Sequence, residues 1–432
     1  MHRSYPTGLK SRNLVAKSVE SCLPEGLPYN WDEKLRELIV GISLSRSLVL
    51  QNIAQTRAGH VRTIENNLSE FLGQERLEIS PAQRACVINV LKRMSRRRLW
   101  KHAGKVALII DATSHAKSRS RRKKRGMPGK GSVRMHNLPT DKTILVPGYQ
   151  EIWIGILLAD RTVLPITRRL WSEKGPDSAS MNLAEEAEIL RAVDIVRETF
   201  KLDVILVADS GYRRKDLLHW LKETEKLDFV IRLEGKLTVQ AGRSKRLLED
   251  MAAWWPKRLQ IQWREKSKKV LLSDVSARQV SAKLESKETV NFNAVCLTPT
   301  KENIDPMFLA TTLPIDTKQE LTLIVRLYSW RWGIETFFSK FKNGLNAKSW
   351  RVFSSWEAID RLLAAAHMAY LILVMLAEFT CRGRTAATRL LARQMKEILR
   401  SRFARPPELT LGRFLLLIAS EFQSPRLAET RV

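Results

Sequence analysis

With 432 residues the chain is long enough for about two or three domains, and its 44% share of hydrophobic side chains supports a packed interior rather than a disordered polymer. A formal net charge of +29 attracts polyanions through counterion release, which puts nucleic acid first among the partners to consider. The N-terminal stretch MHRSYPTGLKSRN lacks the apolar core of a signal peptide, so a cytoplasmic setting without a membrane partner is expected. Cys22, Cys86, Cys296 and Cys381 are scattered and form no CxxC pair, which points to neither a disulfide framework nor a zinc site.

Residues 1–100 read as mainly helical. At Ser80-Pro81-Ala82-Gln83 the pattern predicts a helix start, with Ser80 as cap, Pro81 in the first turn and Gln83 returning the capping bond. This helix runs into the basic cluster KRMSRRRLWK, which suits either nucleic-acid contact or a helical packing layer.

From Val106 the pattern changes to apolar runs of strand length, VALIID, EIWIGILLAD and TVLPITRRLW, with Asp160-Arg161 as a tight hairpin turn between the last two. Asn182 and Glu185 then predict a capped helix over LAEEAEILRAVDIVRETF. DVILVAD follows as a buried, parallel strand, then the helix RKDLLHWLKETE and the strand FVIRLE. Two of these strands end in an aspartate, Asp111 and Asp209. After the first comes KSRSRRKKR, residues 117–125, in which seven of nine residues are basic, including Arg121, Arg122, Lys123 and Lys124. Glycine and proline follow, so this is expected to be a flexible loop whose cations meet phosphate.

Residues 232–311 show period two in two places: Leu259, Ile261 and Trp263, then Val290, Phe292 and Ala294. This predicts a mostly β insertion. Thr317 and Glu320 form a capping box for the next helix. At about 100° per residue, Tyr328 to Lys342 forms one amphipathic helix, with Tyr328, Arg331, Glu335 and Lys342 on a narrow stripe opposite Ile334, Phe337, Phe338, Phe341 and Leu345. Gly344 supplies a stop. Further on, LLAAAHMAYLILVMLAEF falls short of the about 20 apolar residues a membrane span needs and contains His367, so it reads as a buried helix partnered by GRFLLLIASEF.

The pattern Tyr, two residues, Arg, three residues, Glu, six residues, Lys is met by Tyr328, Arg331, Glu335 and Lys342. It resembles the signature of the DDE transposases of bacterial insertion sequences, in the insertion-sequence-four-like branch. Asp209-Ser-Gly-Tyr212 resembles that group's second aspartate motif, and Asp111-Ala-Thr its first. The resemblance implies an α/β fold with a ribonuclease H-like catalytic core over 101–231 and 312–348, interrupted by the β-rich insertion at 232–311. A helical DNA-binding region over 1–100 and a helical C-terminal region over 349–432 flank it.

The same resemblance makes Asp111, Asp209 and Glu335 the catalytic, metal-holding carboxylates, with Asp111 bridging two ions. In-line displacement at phosphorus is served by two divalent ions about 3.5–4 Å apart, and hard Mg²⁺ takes oxygen ligands, with Mn²⁺ as substitute. Tyr328, Arg331 and Lys342 would contact phosphates near the cut, and Trp254, Trp255 and Trp263 in the insertion are candidates to stack on a displaced base. The implied substrate is double-stranded DNA, comprising terminal inverted repeats and a target, held by a dimer or higher assembly in the bacterial nucleoid. A decayed relative that only binds DNA, or a host nuclease of the same fold, are the rival expectations.

Overall fold

A computed structural model of the chain describes residues 8–94, 96–116, 130–137, 142–176, 180–242, 244–264, 270–284, 288–300, 305–347, 350, 355–382 and 414. The N-terminal region is helical, as read: α1 (Gly8–Cys22), α2 (Tyr29–Ser45), α3 (Leu50–Ala54), α4 (Val61–Gly73) and α5 (Ser80–Arg93). Four strands follow, β1 (Lys105–Ala116), β2 (Gly131–Asn137), β3 (Lys142–Leu157) and β4 (Val163–Trp171), then α6 (Met181–Phe200), β5 (Asp203–Ala208), the short α7 (Lys215–His219) and β6 (Asp228–Leu233). Next come β7 (Thr238–Ala241), β8 (Ser244–Leu247), α8 (Leu248–Ala252), β9 (Leu259–Arg264), β10 (Val270–Lys283), β11 (Thr289–Pro299) and β12 (Met307–Thr311). The helices α9 (Lys318–Trp330), α10 (Gly333–Gly344) and α11 (Trp356–Arg382) complete the described chain.

The fold is mixed α/β, built on one large mixed sheet. β3 pairs antiparallel with β1 and with β4, whereas β1–β5 and β5–β6 are parallel. The core order β4-β3-β1-β5-β6 is consistent with a ribonuclease H-like domain. β6 then pairs antiparallel with β12, β12 with β11 and β11 with β10, so the strands between 238 and 311 prolong the central sheet. β2, at the sheet edge on β3, was not expected, because its sequence GSVRMHN lacks a continuous apolar run.

Apolar side chains on α10 explain how the signature stretch docks. Trp153 lies directly opposite Asp111 across the β1–β3 pair, so the two side chains share a face of the sheet. The Trp153 ring meets Phe337 and Phe341 at centroid distances of 4.9 and 5.1 Å, which puts α10 over that same face. Ile334, Phe337, Phe338, Phe341 and Leu345 are all buried, as their helical spacing predicts. At the other end of α10, Arg46 Nε donates to the Gly344 carbonyl oxygen at 2.7 Å, placing a cation on the negative pole of the helix.

Three local expectations need correction. The stretch from Tyr328 to Lys342 is two helices, with Arg331 and Trp332 forming a tightened turn between α9 and α10, where Ile334 N–H donates to Arg331 O at 3.0 Å. The reason lies at Gly333, where an added Cβ would stand 2.8 Å from Arg161 O and from Val163 Cγ2 of the β3–β4 hairpin. The cap of α6 is Ser180, which accepts from Asn182 N–H at 3.2 Å, and Glu185 is turned inward. Ser80 likewise is not a cap, since α5 starts without a side-chain cap and Gln83 bonds His367 Nδ1 at 2.8 Å instead. The capping box of Thr317 and Glu320 is formed as expected.

α11 is longer than its sequence suggested. Trp356–Thr380 has a mean hydropathy of 2.0 and is long and apolar enough to span a membrane, yet 89% of its most apolar window is buried inside the fold. It packs against α1, α2, α4, α5 and β4. The expected partner GRFLLLIASEF lies outside the described residues apart from Phe414, which is buried.

Gly333→Ala tests the close approach directly. An ordinary Gly-to-Ala change inside a helix gains roughly 1 kcal/mol. Here the added methyl group meets hairpin backbone, so thermal unfolding of the variant is expected to show a loss of about 1–3 kcal/mol instead.

Candidate active site: three carboxylates and an arginine

The β1–β5 pair sets the geometry. Its last matched residues are Ile109 and Val207, and Asp111 and Asp209 each lie two positions beyond. In parallel strands such residues stand level and leave on the same face. Asp209 then turns the chain, its Oδ1 accepting from Gly211 N–H at 2.7 Å as it caps the short 3₁₀ turn Ser210–Tyr212. Asp111 Oδ1 accepts from Ala112 N–H at 2.8 Å.

The tightened turn between α9 and α10 delivers the remaining groups. Arg331 Nη1 donates to Asp111 Oδ2 at 3.0 Å, and both side chains are largely withdrawn from solvent. The Arg331 guanidinium also lies 5.8 Å from the centre of the buried Tyr328 ring. Lys342 Nζ donates to the Thr113 hydroxyl and, at 3.2 Å, to Ser114 O, so it grips β1 just beyond Asp111. Glu335 occupies the first turn of α10 and acts electrostatically on both Asp111 and Arg331.

Burial pushes the Asp111 carboxyl up to about 7; Arg331 opposes this, while the negative charges of Asp209 and Glu335 add to it. Arg331 is held protonated by Asp111, Tyr328, Asp209 and Glu335 against the burial that would weaken it. The two aspartates, Glu335 and Arg331 therefore share one electrostatic site. Tyr212 completes its wall: the ring is buried, and the hydroxyl has no hydrogen-bond partner.

As the side chains lie, no three Asp, Glu, His or Cys groups among the described residues are gathered closely enough to hold a metal ion. The donor chemistry nevertheless suits a hard divalent cation. Three like-charged carboxylates are drawn together out of water, and a cation would relieve the repulsion that now protonates Asp111. At present the Arg331 guanidinium serves as their counter-charge.

Beneath the site runs a buried ionic chain. His115 Nε2 and Glu151 Oε2 are 2.8 Å apart, Arg168 Nε donates to Glu151 Oε1 at 2.6 Å, and Arg168 Nη2 donates to Asp360 Oδ1 at 2.6 Å. It links β1, β3 and β4 to the first turns of α11. Arg168 draws the Glu151 carboxyl down to about 2 although burial works the other way.

Sequence reading missed this chain, although Glu151 and Arg168 are visible as charges interrupting two apolar strands of one hairpin. It also missed Glu185, whose Oε2 accepts from Arg214 at 2.6 Å and whose charge reaches Asp209 and Tyr212. Arg121, Arg122, Lys123 and Lys124 lie outside the described residues. Of the three tryptophans considered for stacking, Trp255 and Trp263 are buried, the latter donating to Ser273 Oγ at 3.0 Å. Trp254 alone of the three is open to solvent, at 83% exposure.

Residues 177–372 match the family model described as the transposase DDE domain, which supports a DDE transposase. The matched stretch contains Asp209, Tyr328, Arg331, Glu335 and Lys342, and Asp111 precedes it. No curated protein matches the chain. The family's activity is metal-dependent and its substrate is DNA, in keeping with the carboxylate cluster and the basic composition.

Because the folded-state pKa of Asp111 lies near 7 against an ordinary 3.8, the folded protein binds a proton that the unfolded chain has lost between those values. The contribution of this group to stability is therefore fully present below about pH 3.8 and is lost as pH rises to about 7. Asp111→Asn is expected to flatten this part of the stability-against-pH curve, measured by denaturant unfolding at a series of pH values.

Proposed function

We propose that the protein is a transposase of the insertion-sequence-four-like branch, which cuts DNA at the ends of its element and joins the free 3′ hydroxyl to a target. The observation that carries this reading is the meeting of Arg331 and Glu335 with Asp111 and Asp209 at the carboxyl-terminal edge of the β1–β5 pair. In this reading Asp111, Asp209 and Glu335 hold two divalent ions, Mg²⁺ or Mn²⁺. Bound there, the ions would supply charge neutralisation for the attacking and leaving oxygens of an in-line displacement.

The chain's own residues then position the strand. Arg331, five of whose N–H groups can bond, exchanges its hold on Asp111 for a phosphate of the substrate as the carboxylates take up their cations. Lys342, anchored beside Thr113, adds a point charge, and Tyr328 carries the guanidinium against its ring. The basic run at Arg121, Arg122, Lys123 and Lys124 leads directly from the strand that bears Asp111, so its cations reach the same backbone.

The core of this enzyme is residues 101–231 with 312–348, and 232–311 is its insertion. Exposed Trp254 is the residue of that insertion available to stack on an unpaired base, a contact worth roughly 1–3 kcal/mol. Residues 1–100 contribute to binding the inverted repeats, and 349–432 to the closed core. A dimer or higher assembly in the bacterial nucleoid brings two ends together.

The test is cleavage of DNA carrying the sequences that flank the gene, with Mg²⁺ or with chelator, by the wild type and by Glu335→Gln. Cutting at the ends is expected only with metal, and the variant should lose more than the about 10- to 100-fold typical of residues that merely support metal ligands. End binding without cutting by either protein would identify a DNA-binding relative, and metal-dependent cutting indifferent to the ends a nuclease.

A further inference from the structure

Tyr212 has a role that the resemblance does not assign. Its side chain is buried, its hydroxyl is without a hydrogen-bond partner, and the groups acting on it are the carboxylates of Glu185, Asp111 and Asp209 and the cation Arg214. A buried hydroxyl left unpaired costs about 1–3 kcal/mol, and a phenylalanine of the same shape would avoid that cost. Nothing in the packing of an apolar ring calls for the oxygen atom.

The position of the hydroxyl is fixed by the backbone. Tyr212 N–H donates to Asp209 O at 3.2 Å, closing the turn that Asp209 caps from its own side chain, so the phenol and the Asp209 carboxylate belong to one rigid unit. Burial and the surrounding negative charges hold the phenol pKa well above its ordinary value, so the group stays neutral and keeps its proton. A neutral phenol facing carboxylates has one use for that proton, which is to donate it in a hydrogen bond. Glu185 is already engaged by Arg214, leaving the paired aspartates as the acceptors that matter.

We propose that Tyr212 is a positioning residue for the cation site, its hydroxyl donating to the aspartate pair Asp111 and Asp209 when these turn to hold a divalent ion. In the resting arrangement Arg331 holds Asp111, and the phenol waits without a partner. When the aspartates shift to the cation, the donor already in place orients a ligating oxygen, as outer hydrogen bonds do around metal ligands. The inference rests on the metal-dependent reading above and adds to it the group that aims the ligands.

The full chain and its Tyr212→Phe variant would be compared by Mn²⁺ titration, following free Mn²⁺ by electron paramagnetic resonance, and by thermal unfolding with and without Mn²⁺. The expected result has two opposite signs. Without metal the variant unfolds at a higher temperature than the wild type, because an unpaired buried hydroxyl is gone. With metal it binds Mn²⁺ about 10- to 100-fold more weakly, the usual loss when a supporting hydrogen bond is removed. Affinity for Mn²⁺ equal to that of the wild type would overturn the proposal, as would a variant less stable without metal, which would mean that the hydroxyl serves the fold. Failure of the wild type itself to bind Mn²⁺ would overturn the underlying metal-dependent reading, and is distinguishable because it appears before any substitution is made.

Discussion

The structure depends on the burial of one negative charge beside two others. Asp111 lies within the sheet, level with Asp209 and near Glu335, in surroundings that raise its proton affinity by some three orders of magnitude, from 3.8 to about 7. Such a group is unfavourable unless something positive accompanies it, and Arg331 does so through a 3.0 Å ion pair. That pairing in turn requires the tightened turn between α9 and α10, which requires Gly333 and the hairpin turn it touches. A local electrostatic demand thus explains the conformation of the stretch that carries most of the recognisable chemistry.

The surrounding scaffold is organised to make this demand bearable. Apolar contacts of Phe337 and Phe341 on Trp153 fix α10 over β1 and β3, and Arg46 holds its far end from the N-terminal helices. The chain of His115, Glu151, Arg168 and Asp360 ties the strands below the site to α11. An isolated buried pair of this kind gains little over an apolar core, but removing one member would strand the other at a cost of about 3–5 kcal/mol. Its worth lies in fixing register: β1 cannot slide against β3 without separating His115 from Glu151.

Much of this was legible before any coordinates, and the rest was hidden for identifiable reasons. Strands ending in Asp111 and Asp209, the hairpin at Asp160-Arg161, the capping box of Thr317 and the amphipathic spacing of Phe337 and Phe341 all depend on near neighbours in sequence, and they appear as read. The break after Trp330 was not legible, because it is imposed by Arg161 and Val163, more than a hundred and fifty residues away. Glu185 looked like a capping residue on local grounds, and only the approach of Arg214 shows why it is buried. Within the candidate site, residue types and order were visible, whereas the ion pair of Arg331 with Asp111 and the unpaired hydroxyl of Tyr212 are facts of three-dimensional placement.

The burial of α11 bears on how the molecule comes into being. This helix is encoded near the end of the described chain, yet it fills the space between α1, α2, α4 and α5, which leave the ribosome first. Those four helices have no completed interior until some three hundred further residues have been made. They must wait with apolar surface open, and the strands made meanwhile must wait for the same closing element. Folding of this chain is therefore an end-loaded event, with its two extremities joining the core in one cooperative step and chaperones guarding the interval.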